Sequence, residues 1–170
     1  MFSLPDNCKI VQAAPVTRGI AANGDWVCLK GYAKAMCVIN IVTGADDTEL
    51  TFTVDKATTA AAGNESTGIT LNNFWTIYNM VSAAPTSDAM TKGTAAASIV
   101  TVTDQSTSHL IVVDIDASEL GYVATTPFAK FDWLQLTVAG GNAAHTWAAI
   151  WILYNPRYGQ DQASMLTAIA

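Results

Sequence analysis

Hydrophobic residues along this 170-residue chain fall in short runs rich in β-branched and aromatic side chains, separated by clusters of Gly, Asn, Asp, Ser and Pro. Runs of this kind between turn-forming residues are typical of antiparallel β-sandwiches and barrels. We therefore predict an all-β fold with about nine short strands. We expect one jelly-roll-like antiparallel β-sandwich domain over residues 1–170, with no linker between domains.

The first runs predict both strand positions and neighbours. KIVQAAPV, residues 9–16, is expected at a sheet edge, because Pro15 has no backbone N–H to donate to a neighbouring strand. DWVCLK at 25–30 and AMCVINIVT at 35–43 follow each other closely along the chain. We expect these two runs to pair as neighbouring strands.

Two later runs indicate which faces of their strands are buried. In TELTFTVDKA, residues 48–57, apolar and polar side chains alternate, so Asp55 is expected on a solvent-facing side. In TWAAIWILY, residues 146–154, both alternating sets of side chains are apolar. One set must face the core, and the other is expected to meet another layer or another subunit.

The run HLIVVDIDASEL, residues 109–120, contains two carboxylates that a strand would place on one face, Asp114 and Asp116. Calcium or magnesium needs more oxygen ligands at defined positions than this pair supplies. Asp116 followed by Glu119 also fits a capping box, in which the strand ends in a helical turn. We favour this structural interpretation over a metal site.

No sequence motif indicates catalysis. The sequence lacks a nucleophile elbow, a phosphate-binding loop and a zinc-binding pattern, and His109 and His145 stand apart from other metal-ligating residues. The three cysteines, Cys8, Cys28 and Cys37, form no C-x-x-C pair and are expected to be small buried residues. We expect neither enzymatic activity nor a cofactor.

Charge narrows the classes of partner. The formal net charge is −6 and only 13% of residues are charged, which argues against binding nucleic acid or anionic membranes. The apolar run at 148–154 is too short to span a bilayer, and the N-terminal sequence does not resemble a signal peptide, so we expect synthesis in a cytoplasm. A surface so poor in charge indicates protein partners. Exposed tryptophans could instead stack on sugars, which keeps a carbohydrate-binding module as an alternative.

Three stretches carry a resemblance to a known family: Val27, Leu29, Lys30 and Tyr32 in V-x-L-K-x-Y; residues 115–120 in IDASEL; and residues 156–158 in PRY. Over residues 9–158 the chain resembles the small structural proteins encoded beside the major capsid protein in tailed bacteriophages. The resemblance implies a capsid decoration (cement) protein on the outer surface of the virion, made in the host bacterial cytoplasm. It also implies the major capsid protein as partner and a homotrimer at local threefold positions; a head fibre or receptor-binding module is the alternative.

Such a protein needs anchors for its partner, and the chain ends are candidates. We expect an N-terminal arm, about 1–8, and a C-terminal tail, about 159–170, to supply apolar contacts through Phe2, Leu4, Met165, Leu166 and Ile169. Arg157 and Tyr158 could form a docking motif with a partner carboxylate. Alternatively, Pro156 ends the last strand and Tyr158 packs back on the sheet.

Overall fold

The computed structural model describes residues 8–18, 22–42, 49–78, 89–100, 108–123, 129–141 and 145–157. These residues form eleven strands and no helix. The strands are β1 (Cys8–Arg18), β2 (Ala22–Asn23), β3 (Val27–Cys28), β4 (Tyr32–Val42), β5 (Leu50–Ala57), β6 (Asn73–Tyr78), β7 (Thr91–Lys92), β8 (Ile99–Val100), β9 (Ser108–Asp116), β10 (Trp133–Gly140) and β11 (Thr146–Pro156). Four of them contain only two residues, too few for the hydrophobic pattern to reveal.

The strands form two antiparallel sheets. The larger sheet has the order β1-β11-β4-β9-β6-β7, and the smaller has the order β2-β10-β5-β8, with β3 also paired to β10. The pairing is nested: β1 pairs with β11, β2 and β3 with β10, β4 with β9, and β5 with β8. This double-sheet arrangement is a jelly roll, with β6 and β7 inserted as an extension of the larger sheet. The predicted all-β, jelly-roll-like sandwich is therefore confirmed.

Alternating side chains from both sheets meet in one core. Leu50, Phe52 and Val54 of β5 are buried, as their alternation predicted. Across the core, the ring of Phe52 meets Trp147 of β11 edge to face, with centroids 6.1 Å apart. Burial of these large apolar side chains is the main force holding the sheets together.

The predicted pairing of the runs at 25–30 and 35–43 is wrong. β3 pairs with β10 in the smaller sheet, whereas β4 lies between β11 and β9 in the larger sheet. The chain turns between them at Gly31, whose φ of 95° is readily available only to glycine, and the N–H of Tyr32 donates to the carbonyl of Leu29. Although β3 and β4 are close in sequence, the chain crosses from the smaller sheet to the larger sheet between them.

The predicted solvent exposure of Asp55 is also wrong, because this residue is only 3% exposed. Its carboxylate accepts hydrogen bonds from the N–H of Gly68 at 2.7 Å and from the hydroxyl of Thr137 at 2.6 Å. The loop after β5 returns alongside the strand, where Ser66 forms a bridge with Lys56. This loop places the N–H of Gly68 at the carboxylate. The alternation of polar and apolar residues in β5 could not predict that contact.

The first strand lies at the edge of the larger sheet, as Pro15 predicted. Its register against β11 shifts between Gln12 and Ala14 and again between Ala14 and Thr17. Pro15 therefore lies within an irregular stretch, where its missing N–H removes no regular ladder hydrogen bond.

Candidate functional site

The outward side of the larger sheet carries a broad apolar surface. On β11, Trp147, Ala149, Trp151 and Leu153 are buried, while the other alternating set points outward. This confirms the expectation that one apolar set of TWAAIWILY faces the core. The remaining set belongs to a surface that extends across neighbouring strands.

Cross-strand pairing arranges that surface in rows. One row runs from Trp75 through Val112, Val38 and Ile150 to Gln12, and a second joins Met36, Ile152 and Ile10. Ile10 is 50% exposed and Ile150 is 39% exposed. We call this surface the outer face and define it by eight side chains: Ile10, Met36, Val38, Trp75, Leu110, Val112, Ile150 and Ile152.

A polar network closes one end of the outer face. Asp114 accepts a 2.6 Å hydrogen bond from the hydroxyl of Tyr154 and lies 3.5 Å from the ammonium of Lys34. Burial raises the pKa of Tyr154 well above its usual range, and the hydrogen bond to Asp114 adds to the shift. The charges of this network lie beside the outer face, and none of the eight side chains that define the face is charged.

The two carboxylates of the D-I-D run have separate structural partners. Asp116 accepts hydrogen bonds from the hydroxyl of Ser118 at 2.6 Å and from the N–H of Ser118 at 2.8 Å. Those bonds lower the pKa of Asp116, and Lys34 and Arg157 contribute further. No group of three or more metal-ligating side chains is found in the part of the chain that the structure describes. The preferred structural interpretation of this run agrees with these contacts.

The turn after Asp116 differs from a complete capping box. The N–H of Glu119 donates to the carbonyl of Asp116, which closes a turn as expected. The carboxylate of Glu119 instead accepts a 3.2 Å hydrogen bond from the side-chain amide of Asn72. Glu119 therefore links this turn to the segment that precedes β6.

A cleft of about 330 Å³ lies between that segment and the turn. Its buried apolar residues are Leu71, Ile115 and Leu120. Along one side, the ammonium of Lys56 donates to the carbonyl of Leu120 at 2.7 Å and lies 4.4 Å from the centre of the Phe131 ring. The other lining residues are Ser66, Gly68, Ile69, Thr70, Asn72, Asp114 and Glu119. We call this feature the end cleft.

Of the predicted partner-binding residues, only Arg157 lies within the described ranges. Its side chain is exposed, and its backbone N–H donates to the carbonyl of Gly31 at 2.8 Å. β11 ends at Pro156, as that proline predicted. Six predicted contact residues lie outside the described residues: Phe2, Leu4, Tyr158, Met165, Leu166 and Ile169.

Cysteines and tryptophans occupy mainly structural positions. Cys8 and Cys37 are buried and Cys28 is half-buried, and burial raises the pKa of all three thiols. Trp147 and Trp151 lie in the core, which removes them as sugar-stacking platforms.

Sequence reasoning missed most of the outer face and all of the end cleft. A signal for the outer face was present in AMCVINIVT, where Met36, Val38 and Val42 are apolar on the outward side and Asn40 is the polar exception. The end cleft had no comparable signal, because Lys56, Asn72 and Glu119 belong to segments that only the fold brings together.

No family model and no curated protein matches the sequence. The described residues include no helix long and apolar enough to span a bilayer. Among solved structures, the chain is similar to one described as the crystal structure of SPBc2 prophage-derived protein YomS, with a TM-score of 0.44. The two are 10% identical, and the match covers 86% of this chain and 93% of that chain, a likeness too remote to indicate a function.

Proposed function

We propose that this protein is a structural virion protein that decorates the outside of a tailed-bacteriophage head and stabilises contacts between major capsid protein subunits. The outer face is the observation that carries the proposal. It would pack on the major capsid protein, with homotrimers at local threefold positions bridging neighbouring capsid subunits. The role requires neither a catalytic group nor a cofactor.

The continuity of the outer face supports an interface. Apolar side chains lie side by side from Trp75 through Val112 and Val38 to Ile150, across four strands about 4.8 Å apart, and a second row joins Met36, Ile152 and Ile10. Contiguous exposed apolar patches of this kind are often functional. Polar side chains border the patch: Gln12 and Lys92 at the two ends of the first row, and Asn40 at the next outward position of β4.

The chemistry of the outer face suits a partner contact that must persist. Its eight defining side chains are aliphatic or aromatic, and Gln12, Asn40 and Lys92 border them, which matches an interface with an apolar centre and a polar rim. The polar network of Lys34, Asp114 and Tyr154 would lie at the rim, where exposed charges set orientation more than affinity. The jelly roll also occurs in viral capsid and lectin domains, which supports the proposal by analogy alone.

Replacing Ile150 by lysine tests the outer face directly. The charge would be buried without a partner in the complex, whereas in the free protein it would remain in water. We expect I150K to bind capsids lacking this protein at least about tenfold more weakly than the wild type, as cosedimentation would measure. Tyr122→Lys is the matched control, since Tyr122 is 65% exposed and is not part of the outer face.

Two results would contradict the proposal in different ways. Wild-type binding by I150K, with an unchanged circular dichroism spectrum, would show that the outer face does not contact the capsid. Absence of the chain from purified virions, measured by quantitative mass spectrometry against the major capsid protein, would remove the capsid role itself. A few copies per particle would instead favour the head-fibre alternative.

The termini provide a second, separable test. Deleting residues 159–170 should weaken capsid binding without unfolding the domain, as circular dichroism would check. Arg157→Ala should likewise reduce binding if its exposed guanidinium pairs with a carboxylate of the partner. Full binding by the truncation would refute the role of the tail as an anchor, and full binding by Arg157→Ala would refute its pairing with the partner.

A further inference from the structure

The end cleft has two walls from distant parts of the chain. One wall is the segment of residues 66–72 and the other is the turn of residues 117–120, and the hydrogen bond from Asn72 to Glu119 joins them at 3.2 Å. Both of these side chains are exposed, so water or a ligand can reach the bond. The volume of about 330 Å³ is at the lower end of the range of small-molecule pockets.

The end cleft offers a ligand mainly polar groups. Leu71, Ile115 and Leu120 are only 1–4% exposed, so they lie behind the accessible lining. Hydroxyl and amide groups come from Ser66, Thr70 and Asn72, which are half-exposed or exposed. A ligand that fits must therefore present several hydrogen-bonding groups.

Charge excludes two classes of ligand. Both carboxylate oxygens of Asp114 have partners in Tyr154 and Lys34, which leaves Glu119 as the acidic group available in the end cleft. One carboxylate is too few for a dedicated divalent cation site. An anion would meet the negative charge of Glu119, while the ammonium of Lys56 already donates to the carbonyl of Leu120, so an anion is disfavoured.

We propose that the end cleft binds one neutral sugar residue. A pyranose ring carries several hydroxyl groups and no charge, which matches a cleft lined by hydroxyl and amide groups. Asn72 and Glu119 would bind neighbouring hydroxyls, the amide donating and the carboxylate accepting. Glu119 uses Oε2 for Asn72, and its Oε1 accepts no hydrogen bond within the described part of the chain. This site is separate from the outer face and does not depend on the capsid role.

The test is a nuclear magnetic resonance titration of the full chain with glucose, galactose, mannose, rhamnose and N-acetylglucosamine. We expect at least one sugar to shift the amide signals of residues 66–72 and 117–120, with a Kd on the order of 1–10 mM. Glu119→Ala and Asn72→Ala should each weaken binding at least about tenfold. Glu65→Ala removes an exposed carboxylate that is not part of the cleft lining and should change Kd less than about twofold.

Three results would overturn the proposal: no shift at the end cleft with any of the five sugars, shifts confined to another surface, or wild-type affinity in both cleft variants. Unchanged spectra elsewhere in the cleft variants would show that they remain folded. Because these measurements use no capsid, their failure is distinguishable from failure of the capsid role, and I150K should bind the sugar like the wild type.

Discussion

Replacing Asp55 by alanine should destabilise the sandwich strongly. The buried carboxylate accepts hydrogen bonds from the Gly68 N–H and the Thr137 hydroxyl, and a hydrogen bond to a charged group contributes about 1.5–3 kcal/mol. Losing both gives a range of roughly 3–6 kcal/mol, from which the removed cost of burying a carboxylate must be subtracted. We expect the free energy of unfolding to fall by about 3–4 kcal/mol.

A double-mutant cycle isolates one of the two bonds. Thr137→Val keeps the branched shape and removes the hydroxyl, so it should cost about 1.5–3 kcal/mol in the wild-type background. In the Asp55→Ala background the same change should cost much less, because its acceptor is already absent. Urea unfolding followed by tryptophan fluorescence would give all four free energies.

Asp25→Ala is the matched control, since Asp25 is an exposed carboxylate and should change stability by less than about 0.5 kcal/mol. A loss below about 1 kcal/mol for Asp55→Ala would refute the reasoning. Additive effects of the Asp55 and Thr137 changes would also refute it, because they would show that the two side chains do not interact.

Three further outcomes are expected. Gly93→Ala should cost about 1–3 kcal/mol in urea unfolding, because its new Cβ would lie 2.0 Å from a ring atom of a buried phenylalanine. Ser118→Ala should raise the pKa of Asp116, measured by carboxyl carbon resonances. Since the folded pKa is lowered, that stabilisation is present above the unfolded pKa of about 3.9 and is lost as the pH falls through the folded pKa, so the difference in stability between wild type and variant should shrink on acidification. A thiol reagent should modify half-buried Cys28 before fully buried Cys37, and equal rates in the folded protein would contradict the described burial.

Alternation along single strands predicted much of the fold because it reports burial locally. Ile111, Val113 and Ile115 face the core, with Asp114 on the opposite side, as their spacing predicted. Pro15 likewise placed its strand at an edge, because a missing N–H is a property of one residue. Features of this kind need no knowledge of which strands are neighbours.

Pairing and site geometry could not be predicted in the same way, because they depend on contacts between distant residues. The glycine at position 31 carried no sign that its turn would cross between sheets. Alternation along β5 predicted that Asp55 faces solvent. In the fold, the N–H of Gly68, thirteen residues later in the chain, donates a hydrogen bond to its buried carboxylate. The end cleft depends on a hydrogen bond between Asn72 and Glu119, which are separated by 47 positions.

The position of β11 between β1 and β4 has a kinetic consequence. During synthesis β11 is the last of the described strands to leave the ribosome, yet it occupies an interior place in the larger sheet. Until Pro156 emerges, β1 lacks its partner and one edge of β4 stays unpaired. The larger sheet can therefore be completed only once β11 has left the ribosome, through long-range contacts that form slowly. A nascent chain that stalls before β11 would leave β1 and one edge of β4 unpaired. Such a chain would bind chaperones or aggregate through these exposed strand edges.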